Sequence, residues 1–181
     1  THYRLRDLIP VIFGSPDGYL AASTETSAQP DVWGTAFAVY EGLIDAAAAS
    51  AACKALADGY RKETIAWRGN IRHVPVDRDF SADSAWEKTT GFRVNTYQNG
   101  AYWGTPTGWA AYAISKTDPA AAAQLLKEYI EELREGDFRQ GEEYGSPWEC
   151  MHPDNNHRQN PVYLTSLSCP FAVVKREENT I

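Results

Sequence analysis

Long apolar runs are missing from this sequence. None approaches the roughly 20 residues that a membrane-spanning helix needs, so no membrane partner is expected. A basic stripe is missing too. The net charge is −7 and the Lys and Arg residues are scattered, which argues against a nucleic-acid partner. Cysteine is scarce: Cys53, Cys150 and Cys169 are an odd number with no CxxC pairing, so neither a disulfide framework nor a zinc site is implied. There is no P-loop, GxGxxG, GxSxG or HExxH pattern, which leaves nucleotide, serine-hydrolase and zinc-protease readings without support. No cofactor and no metal are expected. The sequence begins at Thr1 with neither an initiator Met nor a signal peptide, so the natural N-terminus is expected to have been removed or to lie elsewhere.

What is present is an ordinary globular composition, 43% hydrophobic, over 181 residues, a length that suits one domain spanning 1–181. Aromatic residues stand out, with six Trp and ten Tyr. An indole has an apolar face and a donating N–H, which suits either a core or a platform under a sugar ring.

Hydrophobic spacing marks five helices. Val32, Ala36, Val39, Tyr40, Leu43 and Ile44 recur at helical spacing after Pro30 and Asp31, which predicts a helix over about 32–46. An Ala-rich helix follows to Lys62, with Cys53, Leu56 and Tyr60 on one face, making an antiparallel pair. A third helix is expected over about 105–115, and a fourth runs from Asp118 and Pro119 to the stop at Gly136. A last one is expected over about 162–175. The opening, Tyr3 to Tyr19, reads as an irregular segment or hairpin because of the turn signal Gly14-Ser15-Pro16-Asp17-Gly18. Residues 63–104 read as a long, partly β-like excursion and 137–161 as a second rich loop, and long loops on a helical scaffold are usually functional.

Four stretches carry a family resemblance: Asp31-Val32-Trp33-Gly34-Thr35-Ala36, Tyr97-Gln98-Asn99-Gly100-Ala101-Tyr102-Trp103, Pro106-Thr107-Gly108-Trp109 and Ser146-Pro147-Trp148-Glu149-Cys150. They resemble the six-hairpin glycosidase superfamily, the (α/α)6-barrel glycoside hydrolases, over roughly residues 30–175. The resemblance implies a mainly α fold, an α/α toroid of helical hairpins with substrate at one end of the ring. The five helices would be the eighth to twelfth of such a ring. This chain would then be the C-terminal half of a larger catalytic domain, completed by an N-terminal half or a second chain. The rich loops would lead into inner helices and bring Asp31, Tyr97 to Trp103 and Trp148 to His152 to one end.

The resemblance also implies roles. Glu149 precedes the last inner helix, where glucoamylase-like members keep the carboxylate that activates water. Inverting hydrolysis needs such a base and a separate protonated acid about 6.5–9.5 Å apart, and the acid would lie upstream of this chain. The plain alternative for Glu149 is a structural ion pair with an Arg such as Arg158. Glu142, beside Glu143, is a further candidate carboxylate or part of a solvated acidic loop. Asp31 is a catalytic or binding carboxylate, or simply a helix N-cap. Gln98, Asn99 and Trp103, with Tyr97, are candidates for sugar binding, since planar amides match vicinal hydroxyls and an indole stacks on the ring; Asn99-Gly100 as a turn is the alternative. Trp33, Trp148 and His152 complete the substrate-binding candidates; Trp33, Trp67 and Trp86 all read first as core, and Trp33 is set apart by its place beside Asp31. His152 and His157 flank Pro153-Asp154-Asn155-Asn156, whose spacing fits no strong metal signature.

The expected activity is therefore hydrolysis of an oligo- or polysaccharide by carboxylate acid/base chemistry. Sugar epimerisation or polysaccharide lysis, with His152 and Tyr97 moving protons, and carbohydrate binding without catalysis are the competing expectations.

Overall fold

The computed structural model describes residues 4–22, 29–75 and 91–178. Trp86, expected in the core, and Tyr3 lie outside the described residues. Among the described residues the chain is a mixed α and β fold. Six helices pack with a five-stranded antiparallel sheet and a two-stranded ribbon. This corrects the expected helical toroid. The reason lies in the two segments taken as loops. Residues 63–104 and 137–161 contribute short strands that pair with one another, so a sheet stands where a ring of hairpins would have only connections.

Helix α1 (Leu5–Phe13) occupies the opening expected to be irregular, and none of its residues is buried. The turn that follows matches its sequence signal. Gly14 bridges to Leu20, Ser15 bonds Asp17 and the Tyr19 carbonyl, and Gly18 takes φ +90°. Strand β1 (Leu20–Ala21) pairs with β2 (Pro30–Asp31). Asp31 then caps α2 (Val32–Tyr40), its Oδ1 accepting the Gly34 amide at 2.7 Å. Gly34 lies so close to that carboxylate that a Cβ has no room.

Helix α2 ends before residue 46 because Gly42 adopts φ +65° and the Gly42 and Leu43 amides turn back to the Val39 and Ala38 carbonyls. Helix α3 (Ala46–Arg61) is capped by Asp45 and ends in the same double-bonded turn, but with Glu63 at φ 57° in place of glycine. Helices α4 (Thr107–Ser115) and α5 (Pro119–Glu135) follow, the latter capped by Asp118 with Pro119 in its first turn. Helix α6 (Thr165–Glu178) starts later than residue 162. Asn160 and Val162 have positive φ, and the Val162 and Tyr163 amides donate to the Gly145 and Pro147 carbonyls, which holds this stretch outside the helix.

The main core is an alanine-rich seam between α2, α3, α4 and α5, filled by Val32, Ile44, Leu56, Ile65, Ile71, Ile114 and Leu125. Small residues allow close helix approach there. Gly108 meets Pro170 and Val173 of α6, and Gly59 meets the Tyr19 hydroxyl.

The sheet runs β3 (Ala66–Trp67), β4 (Asn70–Arg72), β5 (Tyr102–Trp103), β6 (Cys150–His152), β7 (His157–Gln159), with every pair antiparallel. Its register divides the side chains by face, because residues opposite one another share a side and neighbours along a strand do not. Trp67, Asn70, Arg72, Tyr102, Met151 and Arg158 fall on one face. Ala66, Ile71, Trp103 and Cys150 fall on the other, where Ile71 joins the main core beside α2.

Candidate functional site

Five strands of only two or three residues place two aromatic residues in adjacent positions of β5, and alternation sends them opposite ways. Trp103 goes to the α2 side. There it forms a second, smaller core with Ala101 and Cys150, against which Trp33, Tyr97 and Tyr163 pack half-buried. The rings meet in a row. Trp33 stacks on His73 at 4.5 Å between centroids, Trp103 meets Trp33 edge-on at 5.1 Å, Tyr97 tilts against Trp103 at 5.1 Å, and Tyr163 stands edge-on to Trp103 at 6.5 Å. Such geometries suit the ring quadrupoles. The indole N–H groups are satisfied from behind, Trp33 donating to the Ile71 carbonyl and Trp103 to the Tyr97 carbonyl, both at 3.2 Å. Both rings are thereby fixed in angle.

Charged groups sit at the two ends of this row. At one end the Asp31 Oδ1 that caps α2 also lies 3.1 Å from His73 Nε2. At the other, Glu149 is 6% exposed, with Oε2 accepting from Asn160 Nδ2 at 2.6 Å. Its backbone amide donates to the Gln159 and Asn160 carbonyls, so the hairpin end and the carboxylate are held together. Glu149 has no ion pair among the described residues; the Arg158 guanidinium instead lies 5.8 Å over the Trp148 ring. Burial first, and then the negative charge of Glu149, push the Tyr97 phenol above its usual pKa. Burial, reinforced by Glu149, pushes the Cys150 thiol up to about 12, so this cysteine is an inert, protonated packing group at neutral pH.

The remaining candidates divide. Asn99 is fully buried, and its Nδ2 donates to the Phe92 carbonyl at 2.7 Å while Gly100 adopts φ +97°. Its amide thus braces the turn beneath Tyr97, and Oδ1 has no partner among the described residues. Gln98 is half-buried beside it. Glu142 is exposed in the turn after the short 3-10 helix Phe138–Gln140, and the structure does not bring it to the aromatic row. Trp148 faces a different cleft, of about 210 Å³, together with Glu132, Arg68 and Arg158. His152 is buried and stacks on Tyr102 at 5.4 Å, near the Arg72 guanidinium. Its Nδ1 accepts the Asp154 amide at 3.3 Å, and burial together with Arg72 holds its pKa below the usual imidazole value, so it is neutral at pH 7. Residues 153–156 make the turn of the β6–β7 hairpin, with Asn155 Oδ1 accepting the His157 amide. Among the described residues no three His, Cys, Asp or Glu side chains are grouped to hold a metal ion.

Four participants had not been singled out from the sequence: His73, Asn160, Tyr163 and Glu132. His73 and Asp31 are far apart in the chain and meet only through the β4 and α2 packing, and no local pattern announces that pair. Asn160 directly follows β7 with positive φ, and its hold on Glu149, 11 residues away, has no local signal either. Glu132 lies at an internal position of α5, 6% exposed, with Ser146 Oγ donating to it at 2.6 Å; burial raises its pKa, against the lowering effect of Ser146 and Arg68. No family model, no curated protein and no solved structure matches this chain.

Proposed function

We propose that this chain is carbohydrate-active and takes part in glycoside hydrolysis, with Glu149 as the carboxylate that activates water. One observation carries the reading: Trp33, Tyr97 and Tyr163, all half-buried, pack around the buried Trp103 ring, and Glu149, a carboxylate with no ion-pair partner among the described residues, lies near enough to Tyr97 for its charge to raise that phenol's pKa. The aromatic row suits the C–H faces of pyranose rings. Asn160 donates to one Glu149 oxygen, orienting the other as a base. In the reaction the water oxygen bonds to the anomeric carbon as its proton passes to Glu149, and the bond to the leaving oxygen breaks. A proton donor from outside this row, on another segment or a second chain, protonates that leaving oxygen.

The test compares Glu149→Gln with the unaltered protein in the full chain, on a panel of aryl glycosides and by Trp fluorescence with neutral oligosaccharides. Loss of a general base lowers rates by about 10²–10⁴-fold, so hydrolysis should drop by at least about 100-fold while oligosaccharide binding persists. Undiminished hydrolysis removes Glu149 from the mechanism. Binding by the unaltered protein without any turnover selects the non-catalytic carbohydrate-binding alternative, and neither binding nor turnover with any sugar ends the proposal.

A further inference from the structure

The face of the sheet turned away from the aromatic row is also concave. Tyr60, Trp67 and Tyr102 floor a cleft of about 600 Å³, walled by Glu128, Glu131 and Glu135 of α5. That volume lies within the roughly 300–1,000 Å³ of small-molecule sites. The 210 Å³ cleft containing Trp148 and Arg158 shares Trp67, Arg68 and Glu135 with it, so the two are one groove with half-buried indoles at two points along it.

The groove carries many charged groups and little unpaired charge. Arg68 pairs with Glu135, Arg61 with Asp58 and Asp118, and Lys127 with Glu131 at 3.7 Å. Glu128 accepts from the Tyr60 hydroxyl at 2.9 Å and from Gln124 at 3.0 Å. Among the described residues, Glu63 and Glu143 are the two lining carboxylates with neither an ion pair nor a side-chain hydrogen bond. A cationic peptide would find only Glu63 and Glu143 unengaged and would have to break pairs to gain more, and an anionic ligand would meet the carboxylates. The Arg68 and Arg158 guanidinium groups stand over the Trp67 and Trp148 rings at 5.7 Å and 5.8 Å from the centroids, so a neutral polyhydroxylated ligand can share the lone pairs and guanidinium protons without displacing their partners while its C–H groups meet the half-buried indoles beside them.

We propose that this groove is a second binding site, for a neutral oligosaccharide, separate from the Glu149 row. It stands independently of the hydrolytic reading, because its determinants are Trp67 and Arg68 on the opposite face of the sheet. The site holds a chain of sugar and performs no chemistry on it.

The experiment is affinity electrophoresis of the full chain in gels containing soluble neutral glucans, xylans or mannans, with oligolysine and oligogalacturonate as competitors in solution. At least one neutral glycan should retard the protein. Trp67→Ala should weaken that retardation about tenfold, in keeping with the loss of an aromatic platform, and Arg68→Ala, at an exposed position, several-fold. If Trp67→Ala loses its near-ultraviolet circular dichroism, Trp67→Phe and Arg68→Ala carry the test. Unaltered retardation in Trp67→Ala and Arg68→Ala overturns the proposal, as does the absence of retardation by every neutral glycan, or competition by oligolysine in place of sugar. Hydrolysis of aryl glycosides reads Glu149 alone, so the two proposals fail separately.

Discussion

On the α2 side of the sheet Trp103 meets Trp33, Tyr97 and Tyr163 through ring contacts, and the charged groups stay at the ends. On the α5 side the same strands present Arg72, Tyr102, Met151 and Arg158, with the Arg72 guanidinium 4.7 Å from the Tyr102 centroid and bonded to the Gly100 carbonyl and Asn95. Aromatic contacts tolerate a loose, partly wet margin, because each ring gains from dispersion and apolar burial in small increments. Buried charges do not tolerate it, since each must keep its partners or lose them at a cost of several kcal/mol. The first face is accordingly a ring cluster with half-buried members around a buried centre, and the second carries a network whose members restrain one another beside an open cleft. The difference follows from alternation in strands of two or three residues, so a single-residue slip of register would exchange the two chemistries.

Four substitutions break or sharpen this contrast. The largest effect belongs to Trp103→Ala, which empties the centre of the aromatic row where the ring is 4% exposed. Large-to-small changes of a buried Trp cost about 3–5 kcal/mol, so a urea titration should show that loss of stability. A loss below about 1 kcal/mol would mean that the row does not pack as a unit. Asp31→Ala removes the α2 cap and the His73 contact together. Loss of a cap costs about 0.5–2 kcal/mol, and the same titration should place this variant in the upper part of that range.

Glu132 tests the other face through pH. Burial raises its pKa above the ordinary 4.5, so the folded state binds its proton more tightly than the unfolded chain does. Its contribution is therefore fully present below the unfolded value and declines as pH rises through the folded one. Glu132→Gln keeps an acceptor for Ser146 but no longer titrates. Denaturation midpoints taken from pH 4 to pH 8 should fall less with pH in the variant than in the unaltered protein; parallel curves would show that this carboxyl is not buried in solution. The smallest effect is expected at the rim of the α5-side groove. Glu63 holds the left-handed turn after α3 at φ 57°, where glycine carries no Cβ penalty. Glu63→Gly should stabilise the fold by about 0.5–1 kcal/mol, partly offset by the freedom glycine adds to the unfolded chain, as a small upward shift of Tm.

The helices were largely legible. Asp31, Asp45 and Asp118 cap α2, α3 and α5, and the apolar spacing of Val32, Ala36 and Val39 or of Ala122, Leu125 and Tyr129 is a local code that survives packing. Helix α1 was not legible because none of its residues is buried and the strongest local signal there is the turn from Gly14 to Gly18 that follows it. The sheet was legible only in part: residues 63–104 read as partly β-like and supply β3, β4 and β5, whereas β6 and β7 stand where a loop was expected, and with their pairing went the toroid expectation. Strands such as Ala66–Trp67 and Tyr102–Trp103 are too short to show a period, and their partners are distant in sequence. Part of the aromatic row was foreseen as a set, since Trp33, Tyr97 and Trp103 were already candidates. The side on which Trp148 and His152 would fall was not.

The sequence by itself determined where α2, α3 and α5 start and that Trp and Tyr would gather near residues 97–103, because caps and apolar spacing act within one or two turns of chain. Only the tertiary structure decided that Asp31 meets His73, that Asn160 holds Glu149, and that Trp103 and Tyr102 serve opposite faces. These are matters of strand pairing across long separations, where one hydrogen-bond register chooses the neighbours of every side chain and no local preference can choose it in advance.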